Sequence, residues 1–169
     1  GNDTNFGSIS LSGTTVSVSE DSPATFDTIS ATTFTYVAAG AIDDGTTGDV
    51  NVTGAASIAA TGSPITLGND VGNTTNFSSL TFSGTAVSVS EDSSMTIGGP
   101  STAGAGLTLI ANGGVTFDAT TSVTDATDVS ADAGTIDVSQ LSEAILVVSA
   151  LAPVTTEPAD YTIRIDRRE

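Results

Sequence analysis

The chain has 169 residues, of which 38% are hydrophobic and 14% charged, and a formal net charge of −17. Lys, His and Cys are absent, and the three arginines (Arg164, Arg167, Arg168) fall within the last six residues. This inventory excludes a nucleic-acid partner, which needs clustered Lys or Arg, disulfides and thiolate metal sites, and the His, Cys and Lys groups that usually act as bases or nucleophiles.

Taken in chain order, almost nothing reads as helix, and period-two alternation of apolar residues recurs throughout. It occurs at Ile9/Leu11, Val16/Val18, Phe34/Tyr36, Val50/Val52 and Ile65/Leu67, then at Leu80/Phe82, Val87/Val89, Val115/Phe117, Ile136/Val138 and Tyr161/Ile163/Ile165. Turn formers separate these runs: Ser12-Gly13, Asp43-Asp44-Gly45, Thr61-Gly62-Ser63-Pro64, Gly68-Asn69-Asp70, Ser83-Gly84 and Asn112-Gly113-Gly114. Short strands are therefore expected. The longest apolar run, Ala144–Ala152, is too short to span a bilayer.

The strongest signal is internal repetition. Residues Thr4–Ser22 (TNFGSISLSGTTVSVSEDS) return at Thr75–Ser93 (TNFSSLTFSGTAVSVSEDS) with 14 identities in 19 positions and a displacement of 71. Phe6/Phe77, Val16/Val87 and Val18/Val89 repeat unchanged, and Thr35–Ile42 aligns with Thr108–Val115. A chain that repeats its apolar positions builds a modular structure. The units are residues 1–74 and 75–138, followed by 139–169 as a cap or docking segment.

Two all-β architectures accommodate such a unit. One is a right-handed parallel β-helix (a solenoid) with about three coils per repeat, each of roughly 24 residues and rising about 4.8 Å. The other is a pair of tandem immunoglobulin-like β-sandwich modules. Short strands, small residues at inward positions and the absence of Trp favour the solenoid.

The residues Ile65, Leu67, Asn69, Asn76, Phe77, Val87, Val89 and Glu91 follow a pattern that resembles the strand repeats of large bacterial surface exoproteins, the filamentous-haemagglutinin-like adhesins. That resemblance covers roughly residues 1–138. It implies a right-handed parallel β-helix, export to the cell surface and a structural or adhesive role. The ending PADYTIRID is similar to the last strand of many small secreted β-sandwich modules.

Chemistry is sparse. Glu20-Asp21 and Glu91-Asp92 are paired carboxylates, but neighbours on a strand point to opposite faces, whereas a glycosidase pair must face one substrate. Catalysis is not expected. Calcium is the one cofactor the residues suggest. Asp43, Asp44 and Asp49 lie in a Gly/Thr-rich loop, with Asp125, Asp128 and Asp132 as a second cluster, although neither matches an EF-hand. The plain alternative is that these residues are solvated turn formers. The threonines are too irregularly spaced for an ice-binding array.

The expectation is a non-enzymatic extracellular structural or adhesive protein, with a ligand- or carbohydrate-binding sandwich as the alternative. Its partner would be itself, in a head-to-tail polymer, or neighbouring repeats of a longer chain. Ala144, Ile145, Leu146, Val147, Val148, Tyr161, Ile163 and Ile165 are the expected assembly residues.

Overall fold

The computed structural model describes residues 4–124, 126–132, 135–137, 140–142, 145–150, 154–155 and 162–166, with backbone alone for 126–127 and from 141 onward. Among them there are strands and turns but no helix. The larger strands are β1 (Ser8–Glu20), β2 (Ala24–Ala38), β4 (Asp49–Ala60), β6 (Thr74–Glu91), β8 (Ser101–Ala111), β11 (Ala126–Ala131), β14 (Ile145–Ala150) and β16 (Thr162–Asp166). Between them lie β3 (Ile42–Asp43), β5 (Ile65–Leu67), β7 (Met95–Ile97), β9 (Val115–Phe117), β10 (Thr121–Val123), β12 (Ile136–Asp137), β13 (Leu141–Ser142) and β15 (Val154–Thr155).

Every strand pairing is parallel, and each winding of the chain hydrogen-bonds to the winding before and after it. One ladder runs through Ser8, Thr25, Asp43, Thr66, Ser88, Thr108, Asp128, Val147 and Arg164, a rung from each winding. The fold is a parallel β-solenoid. The sandwich alternative requires antiparallel sheets packed face to face, and the uniformly parallel pairing rules it out.

Alternation drives the packing. In β6 the side chains of Phe77, Leu80, Phe82, Val87 and Val89 point inward and are buried, while those between them face outward. The predicted short runs are merged into strands of 11 to 18 residues that bend without losing their ladder. Register irregularities at Ala31/Phe34, Val52/Ala55 and Gly84/Ala86 mark such bends. Ser12-Gly13 and Ser83-Gly84 therefore sit inside strands, because stacking on the adjacent winding keeps the backbone paired around the corner.

Two further expectations need correction. The interior is not filled by small residues alone: beside buried Ala24, Ala38, Ala60 and Ala111 it holds Tyr36, Phe26, Phe34, Phe82 and Phe117 among its largest fully buried side chains. Phe26 stands edge-on to both Phe34 and Tyr36, with centroids 5.5 and 4.9 Å away. Nor does the repeat span a whole number of coils. Val16 stands in the column of Phe34, Ala56, Leu80 and Ile97, whereas its copy Val87 stands with Ala24, Ile42, Ile65 and Leu107. Windings here advance by 17 to 25 residues, so 71 residues carry the chain through about three and a half turns.

Burial predicts the cost of truncation. Phe34→Ala, at a fully buried aromatic contact, should lower stability in urea by about 3–5 kcal/mol. Phe6→Ala, at a position 45% exposed, should cost well under about 1 kcal/mol.

Candidate functional site

The repeated SVSEDS segment ends each long strand with a Glu that turns inward. Glu20 and Glu91 are each 2% exposed, while Asp21 and Asp92 face solvent. Glu20 Oε1 accepts from the Phe6 amide at 2.6 Å and from Ser22 Oγ at 2.7 Å. Glu91 repeats both contacts, accepting from the Phe77 amide at 3.2 Å and Ser93 Oγ at 2.9 Å. Each carboxylate braces its winding across fourteen residues. Alanines in the next winding, Ala38 and Ala111, pair with the two glutamates. Their small side chains leave room for the folded-in carboxylates.

The two copies differ at the second oxygen. Tyr36 donates its hydroxyl to Glu20 Oε2. Burial, reinforced by that carboxylate, holds the phenol proton well above its ordinary range. In the second copy the position of Tyr36 is occupied by Leu109: Tyr36 pairs with Val18, and Leu109 with the copy Val89. Glu91 Oε2 is buried without a partner. Desolvation pushes the Glu91 carboxyl up to about 7, against contacts from Phe77 and Ser93 that pull it down.

The expected calcium residues separate. Asp43 faces outward on the ladder and accepts from the Gly45 amide at 3.0 Å. Asp44 turns inward and is 2% exposed. Its Oδ2 accepts from the Gly68 amide at 2.7 Å and Thr75 Oγ1 at 3.3 Å, while Oδ1 has no partner. Burial raises its pKa above the usual carboxylate value. Gly68 must be glycine: its φ is +70°, and a Cβ would lie 1.9 Å from the Ser90 carbonyl oxygen. Asp49 is exposed, as are Asp128 and Asp132, and Asp125 lies outside the described residues. Among the described residues no three carboxylates are gathered where they could hold one ion.

The expected assembly residues are placed by backbone alone. Ile145–Val148 lie in β14 and Ile163 and Ile165 in β16, and β11, β14 and β16 add successive parallel rungs to the column. Ala144 and Tyr161 lie outside the described residues.

The opposite end of the column begins with β1. There, among the described residues, the edge of β1 that faces away from β2 carries no strand. Thr4, Phe6, Ile9, Leu11 and Val18 line a trough of about 420 Å³. Their copies in β6 are covered by β4 and β5. The repeat carried this information, since identical residues in two settings reveal which setting lacks a neighbour.

A family model described as "Repeats of unknown function (DUF5649)" matches residues 13–81, nearly one 71-residue period. Comparison with curated proteins and with solved structures gives no match.

The Glu91 brace has a defined pH signature. Its carboxyl ionises near 4.5 when unfolded and near 7 when folded. The native state therefore keeps a proton that the unfolded chain releases, and stability falls between these values as pH rises, by an amount on the order of 3 kcal/mol. Glu91→Gln should remove that part of the decline when urea midpoints are compared from pH 4 to 8. Tyr36→Phe, which strips Glu20 Oε2 of its donor, should cost about 1–3 kcal/mol at neutral pH.

Proposed function

We propose that this chain is a non-enzymatic structural segment of an extracellular surface. It is a rigid acidic β-solenoid that sets spacing and joins further units of its own kind end to end. The observation that carries this reading is the unbroken parallel ladder from Ser8 to Arg164, in which every winding is a platform for the next. The match to a family of repeats supports a modular role. The division of each Glu-Asp pair between interior and solvent also supports it, because the glutamates are committed to holding their own windings.

The resemblance to filamentous-haemagglutinin-like repeats supports export and an adhesive or spacing role at the cell surface. A net charge of −17 suits a surface that stays soluble through carboxylates and whose self-repulsion is screened by external salt. No helix among the described residues is long and apolar enough to cross a membrane.

A spacer has a length set by its number of units. Duplicating residues 10–80 in phase within the full chain should lengthen the particle by about 17 Å, three and a half windings at about 4.8 Å each. Small-angle scattering would measure that length while the cross-section stays constant. Growth in all dimensions would refute the spacer reading.

A further inference from the structure

The first winding exposes a surface that the same chain covers 71 residues later. In that second setting β6 is paired on one edge with β4 and β5, and on the other with β7 and β8. In the first setting, among the described residues, β1 is paired with β2 alone. The difference shows in the side chains. Phe6 is 45% exposed and Phe77 3%; Leu11, Val16 and Val18 are half-buried, while Phe82, Val87 and Val89 are buried.

We propose that the β1 face is a docking surface for a parallel coil of the β4–β5 type, supplied by an adjacent unit of the same repeat. This deepens the end-to-end joining proposed above by assigning the joining surface, the occupant and the register. The internal copy defines all three. Val52 opposes Phe77, Ala56 opposes Leu80 and Ile58 opposes Phe82, so the incoming coil places these residue types over Phe6, Ile9 and Leu11. Ile65 opposes Val87 and Leu67 opposes Val89, which carries over to Val16 and Val18.

The backbone follows the same rule. Thr85 donates its amide to the Ser63 carbonyl at 2.9 Å, and its copy Thr14 is the corresponding donor on the open edge. A slip of one residue would turn every apolar side chain of the incoming strand toward solvent, so the register is enforced. Pairing of two β1 edges around a two-fold axis would make the strands antiparallel, unlike any pairing in this column.

The test extends the full chain at its start with a copy of residues 49–74 joined to Thr4, in the phase that residue 74 has with Thr75. Hydrogen exchange should slow about tenfold or more at the Thr14 amide. With Phe6→Trp as a reporter in a chain that has no other Trp, emission should shift to the blue. An extension carrying Val52→Asp and Ile58→Asp should produce neither effect. Unchanged exchange at Thr14, or equal protection by the charged extension, would overturn the proposal. So would concentration-dependent protection of Thr14 in the unextended chain, which would assign the face to a second copy. The scattering measurement on the duplicated chain does not depend on this edge, so the spacer reading stands or falls separately.

Discussion

Each winding of this solenoid is held by its neighbours rather than by itself. A single turn of about twenty residues sends its ladder hydrogen bonds to the windings above and below, while its inward side chains also meet across the interior, as Phe26 meets Phe34 and Tyr36. Parallel pairing then imposes one demand: every inward position must be filled by something that stacks. Phe26, Phe34, Tyr36, Phe82 and Phe117 meet it with bulk, and the alanines at strand ends meet it by giving way to a neighbour.

The buried carboxylates are the cost of turning corners in such a column. Where a strand ends, backbone amides of the same winding face inward with no strand to receive them. Glu20 and Glu91 each accept two donors at Oε1, including an amide fourteen residues earlier, and so close their windings from inside. Asp44 does similar work at another corner, receiving the amide of Gly68 from the next winding. The first copy completes its brace with Tyr36, whereas the second has Leu109 and retains an unpaired oxygen. The duplicated sequence thus holds two versions of one device, one fully satisfied and one sensitive to pH.

Much of the architecture was legible in sequence, because alternation and repetition are both local patterns. Ile65/Leu67 and Val87/Val89 gave the inward positions, and turns directly after Asp43 and at Asn112–Gly114 fell where their residues require. The winding length was not legible. The bend inside β2 carries no turn residue, and Gly54 and Gly84 mark the bends of β4 and β6 without breaking their strands, so a period of 71 did not reveal that it spans three and a half turns. The inward fate of Glu20, Asp44 and Glu91 was hidden for a related reason. A carboxylate beside an exposed Asp reads as solvated until the amides that need it are located. The residues that line the open edge of β1 were encoded in the repeat, but they became visible once β4 and β5 were seen on its copy.

The central claim is that consecutive windings stack in register along one axis, and paired spin labels test it most directly. The chain has no Cys, so cysteines can be placed at will on outward ladder positions. Labels at Thr25 paired in turn with Ser88, Thr108 and Asp128 should give separations of about 14, 19 and 24 Å, rising by about 4.8 Å per winding. Separations that do not rise in equal steps along this series would contradict the column.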